Sequence, residues 1–345
     1  MKVSIIIPAY NVEKYIASSL NSAINQVYKN IEIIIVDDAS TDRTKEIIKE
    51  YANKDKRIIP FYQSQNKGVS AARNVGLRAA TGDFILFLDS DDYLTKDAIR
   101  RMIDLQDKYN CDFIDSYHLL YYKKKNGKIV SFTEKKLPKK TLVLGSLNDN
   151  VKVLDTYTYI TGKLIKKELL DGLEFDESLS RYEDLVFEHE LKKRIKNYCL
   201  MNRPIYFYYQ REDSLVNTLG KKHICYLESA KKVKSIYSNY NNEIKSQIEA
   251  LLFQNMVFTL FTKIIKNNDT IDENVNLSID LLKQLIELFP EYENNKNINK
   301  ILKNNVKKFI NNKKKLKRFI KMINKIDFIK LYFNNMAIFN KYKLN

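Results

Sequence analysis

The chain is poor in the residues that form disulfide frameworks and histidine metal sites. Its 345 residues include three cysteines, three histidines and no tryptophan. The cysteines are Cys111, Cys199 and Cys225; they are far apart, odd in number and lack metal-binding spacing. They therefore predict free thiols in a reducing, cytoplasmic setting. The histidines are equally scattered and predict no histidine metal site, and His189 is interpreted as a packing or helix-surface residue.

Long apolar segments are missing as well. No run approaches the roughly 18 apolar residues that a membrane-spanning helix needs. The first residues, Met-Lys-Val-Ser, lead straight into a short strand rather than into the apolar core of a signal peptide, so none is predicted. With 44% apolar and 29% charged residues, the composition is that of a folded globular protein rather than a disordered chain.

Acidic residues nearly vanish from the C-terminal part of the chain. From residue 294 onward, fifteen lysines and arginines face one acid, Asp327, and this part supplies most of the net charge of +17. Within residues 313–333, Leu316, Phe319 and Ile320 belong to an apolar stripe at helical spacing with cations between its members. Such a helix is predicted to lie on an anionic membrane or, alternatively, to pack in a bundle or homodimer. No nucleic-acid-binding motif accompanies the charge, so nucleic acid is not an expected partner.

Strands and helices alternate over the first 90 residues. Apolar runs predict strands near 3–7, 31–36, 58–62 and 84–88, and helical spacing predicts helices over 12–26, 44–51 and 69–80. Repeated strand–helix–strand units with short links predict a parallel sheet with right-handed crossovers.

The alternation of strands and helices is less regular from about 93 to 175, a helix near 183–196 and a strand near 205–210 follow, and the chain is predicted to be almost wholly helical beyond 220. We therefore predict a catalytic domain over 1–220, with a nucleotide-binding half (1–92) and an acceptor half (93–220), followed by a helical basic region over 221–345.

The most informative segment is a strand that ends in acids. Five apolar residues, 84–88, are followed by the acidic loop Asp89-Ser90-Asp91-Asp92. In open α/β sheets, ligands bind outside the carboxyl ends of the strands. Carboxylates in this position suit a hard divalent cation that also holds substrate phosphates. The sequence thus predicts a metal–phosphate substrate.

Three further polar motifs follow strands or begin helices. The second strand ends at Asp37-Asp38, where an acid can accept hydrogen bonds from a base or ribose. Gly68 opens a helix that carries Arg73, and a helix entry of this kind favours phosphate. Asp184 lies near the start of another helix and could be a general base facing a sugar hydroxyl. Taken singly, each motif also has a plain explanation, such as loop solvation, a surface cation or a helix-dipole preference.

Together and in this order, the motifs resemble those of the family-2 inverting glycosyltransferases. The matching segments are 4–11, 36–42, 66–74, 87–92 and 183–184. The resemblance implies the A-type glycosyltransferase fold, an α/β fold whose Rossmann-like, mostly parallel sheet is flanked by helices. It is close over residues 1–100, weaker to 215 and not found beyond about 220.

The resemblance also implies roles for particular residues. Those expected to bind the donor are Pro8, Tyr10, Asp38, Arg73, Asp89, Ser90 and Arg211, with Asp38 hydrogen-bonding the base. Asp91 would ligate Mn²⁺ or Mg²⁺, and Asp184 would take the proton from the acceptor hydroxyl. Weaker matches assign Glu183 and Lys163 to the acceptor. An aspartate with an ordinary pKa of about 3.9 would already be ionised at neutral pH, so Asp184 needs no large pKa shift to accept a proton late in the reaction.

The implied activity is metal-dependent, inverting transfer from a nucleotide-sugar, with a UDP-sugar expected, to a glycan or lipid-linked glycan. Capsule, lipopolysaccharide or another bacterial surface polysaccharide is the expected product, made in the cytoplasm or at the inner face of the plasma membrane. A nucleotidyltransferase would instead have a Gly-rich, Arg-containing loop after the first strand, where this chain has Ala9-Tyr10-Asn11-Val12. A catalytically silent glycan- or partner-binding protein is the remaining alternative, and retention of Asp38, Asp89, Asp91 and Asp184 argues against it.

Overall fold

The structure is a computed structural model, and it describes residues 1–123, 129–133, 139–156, 158–209, 221–265 and 269–323. The chain forms two compact units, Met1–Glu212 and Asp213–Asn345. The sequence predicts the boundary after residue 220, and in the structure it follows Glu212.

The first unit is built on one mixed sheet. In chain order its elements are β1 (Val3–Ala9), α1 (Ile16–Ile24), β2 (Ile31–Asp37), α2 (Thr44–Lys54), β3 (Ile58–Tyr62), α3 (Val69–Ala79), β4 (Phe84–Phe87), β5 (Tyr93–Leu94), α4 (Ala98–Tyr109), β6 (Phe113–Lys123), β7 (Ile129–Thr133), β8 (Leu142–Gly145), β9 (Lys163–Lys166), α5 (Glu183–Lys192) and β10 (Tyr198–Tyr209).

The strands follow the order β3-β2-β1-β4-β9-β6-β10-β5, with β7 paired to β6 and β8 to β10. The four N-terminal strands are parallel to one another. Strand β9 runs antiparallel between β4 and β6, and β10 is parallel to β6. This arrangement confirms the predicted Rossmann-like, mostly parallel sheet with flanking helices. The predicted acceptor half does not form a separate layer, because its strands extend the same sheet.

Apolar side chains on both faces explain why the first strands are continuous hydrophobic runs. Ile5 and Ile33 belong to a core with α1, α2 and α4, whereas Ile6 and Ile34 belong to a second core with α3 and α5. Helix α3 lies so close to β1 that a Cβ atom at Gly76 would be 2.4 Å from Cγ2 of Ile6. With both faces covered, the edge at the carboxyl ends of β1, β2 and β4 is where loop residues can meet a ligand.

The described part of the second unit is helical, as predicted. Its α-helices are α6 (Tyr226–Ile236), α7 (Asn242–Thr259), α8 (Ile271–Leu288), α9 (Lys300–Asn311) and α10 (Lys313–Ile323), and α7 continues into the π-helical turn Leu260–Ile264. None of the helices in the described ranges combines the length and apolarity needed to cross a bilayer.

The apolar stripe of α10 lies inside this helical unit. Leu316, Phe319, Ile320 and Ile323 are all buried, and the Phe319 ring centroid is 5.1 Å from that of Phe261. The alternative of a bundle helix is therefore correct for 313–323, and the prediction that this apolar face lies on a membrane is wrong. The rest of the predicted stripe, beyond Ile323, is outside the described residues.

Candidate active site

The ends of β1, β2 and β4 bring the predicted donor residues to one edge of the sheet. Pro8 pairs with Val36 within the buried sheet, and the Asp38 N–H donates to the Ala9 carbonyl at 2.8 Å. Tyr10, the next residue, is 46% exposed. Strand β4 is parallel to β1, so the acidic loop begins at the same edge.

Asp38 is buried and fixes the loop that leads into α3. Its Oδ1 accepts hydrogen bonds from Gln63 Nε2 at 2.7 Å and the Lys67 N–H at 2.8 Å, and its Oδ2 accepts from the Gly68 N–H at 2.8 Å. Burial raises the pKa of Asp38 despite the two backbone donors. Gly68 has φ +89°, which favours glycine at this helix entry. Oδ2 keeps acceptor capacity, so the expected hydrogen bond to a base remains a prediction.

Arg73 joins the donor side of the site to the start of α5. Its Nη1 donates to Glu183 Oε1 at 2.8 Å, and its Nη2 donates to Asp89 Oδ1 at 3.1 Å. The guanidinium is 6% exposed; burial alone would lower the pKa of Arg73, but the two carboxylates outweigh it and raise that pKa. Arg73 thus stays charged and holds together two acids that are far apart in the sequence.

The Phe175 ring contacts this arginine, and Asn74 holds the Phe175 backbone in place. The Arg73 guanidinium lies 5.3 Å from the Phe175 ring centroid, and that ring stacks on Phe187 of α5 with 3.8 Å between centroids. The Asn74 side chain accepts a hydrogen bond from the Phe175 N–H at 2.7 Å and donates to the Phe175 carbonyl at 2.9 Å. Asn74 therefore fixes the segment on which Arg73 rests.

The first turn of α5 carries the predicted base. Tyr182, just before it, has φ +59°, a left-handed conformation that is unfavourable for a bulky residue and is often found at functional sites. Asp184 is half-buried, and its Oδ1 accepts from the Leu185 N–H at 2.8 Å. Burial and the neighbouring Glu183 carboxylate raise the pKa of Asp184 to about 8, although Arg73 opposes this shift. The proton transfer predicted from the sequence needs no large pKa shift, but the structure has one, because folding buries Asp184 and brings other acids close to it.

Asp92 has a role that the sequence did not reveal. It is 1% exposed; its Oδ2 accepts from the Tyr206 hydroxyl at 2.6 Å and its Oδ1 from the Tyr209 N–H at 2.8 Å. The same hydroxyl accepts from the Asp89 N–H at 3.1 Å. Burial, with Asp91 and Asp89 nearby, raises the pKa of Asp92 well above its ordinary value. Tyr206 and Asp92 together therefore clamp the acidic loop to β10.

The chemistry of the acidic loop fits a hard cation that takes most of its ligands from a substrate. Ser90 is buried and Asp91 is half-buried, while Asp89 pairs with Arg73 and Asp92 with β10. Within the described ranges, no group of three or more His, Cys, Asp or Glu side chains could hold a metal ion. Mg²⁺ is commonly bound by one or two carboxylates together with phosphates and water, which is what Asp91 and Asp89 could offer.

The remaining predicted site residues are Arg211 and Lys163. Arg211 lies outside the described residues. Lys163, expected near the acceptor, is completely buried, and its ammonium group lies 3.1 Å from carboxylate oxygens of both Asp115 and Glu188. It is therefore an interior ion-pair residue rather than part of an exposed acceptor surface. His189 is 2% exposed within α5, in agreement with a packing residue.

Comparison with known sequences finds a glycosyltransferase family model and related bacterial proteins. Residues 4–162 match the family model described as glycosyl transferase family 2. An uncharacterized glycosyltransferase of Haemophilus influenzae is 31% identical over 245 residues, covering 71% of this chain and 88% of that protein. The minor teichoic acid biosynthesis protein GgaA of Bacillus subtilis is 34% identical over 242 residues, and the matched region is 65% of this chain and 51% of that protein.

Comparison with solved structures identifies the same fold. The crystal structure of Staphylococcus aureus TarS 1–349 in complex with UDP-GlcNAc has a TM-score of 0.69 and 23% sequence identity. The match covers 99% of this chain and 92% of that chain.

Proposed function

The chain belongs to glycosyl transferase family 2, and we propose that it transfers a sugar from a UDP-sugar to a glycan acceptor with inversion at the anomeric carbon. The observation that carries this proposal is the position of Arg73, which hydrogen-bonds Asp89 at the donor edge and Glu183 beside Asp184. One side chain thereby links the part of the site suited to a diphosphate with the part suited to proton transfer.

A uridine nucleotide is the favoured donor because of a structural likeness. The fold matches that of TarS, whose crystal structure contains UDP-GlcNAc. At the sheet edge where β1 and β2 end, the exposed Tyr10 ring and the Asp38 carboxylate lie at adjoining strand ends and could receive a base by stacking and hydrogen bonding.

Asp184 is proposed to be the general base. Its carboxylate would accept the proton of the acceptor hydroxyl while that oxygen forms a bond to the anomeric carbon. The bond from that carbon to the diphosphate oxygen breaks in the same displacement, and the electron pair leaves with the nucleoside diphosphate. A base with a pKa of about 8 holds the abstracted proton better than an ordinary aspartate near neutral pH.

Asp91, with Asp89 beside it, would hold Mn²⁺ or Mg²⁺. When bound, such an ion would offset the negative charge of the departing diphosphate. The protein's own contribution is the clamp of Tyr206 and Asp92, which fixes the loop that presents these carboxylates.

The proposed acceptor belongs to a bacterial surface polysaccharide, since GgaA is named for teichoic acid biosynthesis. We further propose that the protein works at the inner face of the plasma membrane, attracted by charge alone. The exposed Lys314, Arg318 and Lys321 share one side of α10, opposite its buried apolar stripe. Each cation near an anionic membrane adds about 1 kcal/mol of attraction.

Vesicle binding tests the membrane proposal. The triple charge reversal Lys314→Glu, Arg318→Glu and Lys321→Glu should weaken binding to vesicles that contain phosphatidylglycerol. The same change of net charge at Lys56, Lys96 and Lys108, which are exposed in the first unit, should have a smaller effect. Equal losses would show that only net charge matters and would remove α10 as the contact surface.

Nucleotide release from a panel of UDP-, GDP- and CDP-sugars tests the transferase proposal. The panel is run with Mn²⁺, with Mg²⁺ or with chelator, for the wild type and for Asp91→Ala. Metal-dependent release from a UDP-sugar, lost in the variant, is the expected result. If no donor is hydrolysed but one of them raises the melting temperature equally in both proteins, a catalytically silent binding protein becomes the better account.

A further inference from the structure

Helix α5 carries a second set of charged residues behind the catalytic pair. Glu188 and Lys192 lie one to two turns after Asp184, and both are completely buried. Buried charges are expensive unless they are paired, so their presence on a helix that packs in the core needs a physical reason.

These residues belong to a buried ion cluster formed by Asp115, Lys163, Glu188, Lys192 and Tyr198. Lys163 Nζ lies 3.1 Å from Asp115 Oδ2 and 3.1 Å from Glu188 Oε1, and Lys192 Nζ lies 3.3 Å from the same Glu188 oxygen. The Tyr198 hydroxyl donates to Asp115 Oδ2. The cluster therefore joins α5 to three neighbouring strands of the sheet, β6, β9 and β10.

Stability alone does not explain why the cluster is charged. Among the described residues, Asp115 Oδ1 and Glu188 Oε2 accept no hydrogen bond, and Lys192 Nζ forms an ion pair with Glu188 but no hydrogen bond of good geometry. Well-packed apolar residues of similar volume often stabilise a protein core as well as, or better than, a buried ion pair. What an ion pair provides in addition is one specific alignment, because a small slip of the helix would leave each charge unpaired.

We propose that the buried ion cluster positions the catalytic base: Lys163 holds Glu188 and thereby fixes α5 so that Glu183 meets Arg73 and Asp184 meets the acceptor hydroxyl. This proposal rests on the proposed function of Asp184. It makes Lys163 and Glu188 positioning residues, since neither is exposed to a substrate. The alignment matters because Asp184 lies only one turn before Glu188 on the same rigid helix.

Glu188 also acts on Asp184 through charge. The groups that influence the titration of Asp184 are Glu183 and Glu188 on its own helix and Arg73 on α3. Both glutamates raise the pKa of Asp184 and Arg73 lowers it. Loss of the Glu188 charge should therefore move the titration of Asp184 to lower pH, an effect that a purely structural residue would not have.

The first test compares Glu188→Gln and Lys163→Met with Lys166→Met. Lys166 is the matched control because it ends the same strand, β9, but is exposed and paired with Glu168 on the surface. We expect the two cluster variants to lose at least tenfold in kcat per folded molecule, with the KM for donor unchanged, while the control keeps the wild-type kcat. A lower melting temperature with an unchanged kcat would overturn the proposal.

The fourfold variant Asp115→Asn/Lys163→Met/Glu188→Leu/Lys192→Met removes every charge of the cluster and so separates alignment from the cost of an unpaired charge. If the ion cluster positions α5, the fourfold variant folds better than either single variant but keeps the low kcat. If kcat returns to the wild-type value, the charges serve folding only and the proposal is wrong.

A titration that needs no substrate keeps this test apart from the proposed function. The side-chain carboxyl of Asp184 is followed by carbon-13 NMR and assigned by its absence in Asp184→Asn. A lower midpoint in Glu188→Gln and no change in Lys166→Met support the positioning proposal even if no transfer is found. An unmoved midpoint in Glu188→Gln contradicts it even if transfer is normal.

Discussion

The acidic loop after β4 and the first turn of α5 each contain an aspartate whose pKa is raised by burial, but the two aspartates are held differently. Asp92 is fully buried, and both of its oxygens accept hydrogen bonds from β10. Asp184 is half-buried and accepts a hydrogen bond from its own helix. The direction of the pKa shift is the same, yet only Asp184 combines it with access to solvent.

The comparison shows that a raised pKa does not by itself identify a catalytic group. Asp92 has a raised pKa but is closed off from solvent, and its hydrogen bond with Tyr206 fixes the loop. Part of the surface of Asp184 is open, as its proposed role as general base requires. Arg73 connects the two regions through Asp89 and Glu183 and keeps each carboxylate group in place.

Removing the base should have the largest effect. Asp184→Asn keeps the size of the side chain but cannot accept the proton, so we expect kcat to fall by roughly 10²–10⁴-fold. Binding of the nucleotide-sugar, measured by calorimetry, should stay close to that of the wild type. Glu190→Gln on the exposed side of the same helix is the control, and it should keep full activity. Normal transfer by Asp184→Asn would show that the base lies elsewhere.

The next largest effect is expected from the acidic loop. Asp91→Asn removes the proposed cation ligand, so activity at low metal should be lost and should return in part at high Mn²⁺. The measurement is the rate of transfer as a function of metal concentration at saturating donor. Asp97→Asn, which affects an exposed acid paired with Arg101, should leave the metal dependence unchanged. Full turnover of Asp91→Asn at low metal would mean that this residue is not a ligand.

The sequence predicted the donor side of this comparison better than the α5 side. Strands β1, β2 and β4 are mainly apolar and buried along their whole length, and Asp38 and Asp89 follow where two of them, β2 and β4, end. The contact of Arg73 with Glu183 depends on how α3 and α5 pack, and no local pattern contains that information. The same limit applies to the pairing of Asp92 with Tyr206 and of Lys163 with Glu188.

The C-terminal helix shows a second kind of limit. An apolar stripe with lysines around it has the same spacing whether it faces a membrane or other helices. Only the contacts of Phe319 with Phe261 and Phe309 reveal that the α10 stripe is interior. Deleting residues from 294 onward would therefore remove part of the helical core, and charge reversal is the better test of membrane contact.

Opening the clamp should give a smaller effect, mainly on stability. Tyr206→Phe removes the donor to Asp92 Oδ2 and the acceptor of the Asp89 N–H. Leaving buried polar groups unpaired costs about 1–3 kcal/mol, so the free energy of unfolding should fall by about that amount. Denaturant unfolding measures this loss, with Tyr62→Phe, which alters a partly exposed ring, as the control. A stability equal to the wild type would show that the clamp does not hold the loop.

The smallest expected effect is a change in pH dependence. A carboxylic acid with a raised pKa is active as a base only above that pKa, so the wild-type rate should rise with pH up to about 8. Glu183→Gln removes the neighbouring like charge, and the rising limb should move to lower pH. Loss of the hydrogen bond to Arg73 will lower the overall rate as well, so the position of the limb, and not its height, is the measure.

The same raised pKa means that the stability contributed by protonated Asp184 is lost as pH rises from about 4 to about 8, because the folded state binds this proton more tightly than the unfolded chain. Asp184→Asn, which cannot ionise, should therefore gain melting temperature relative to the wild type as the pH is raised through this range, and a constant difference would contradict the shifted pKa on which the comparison with Asp92 depends.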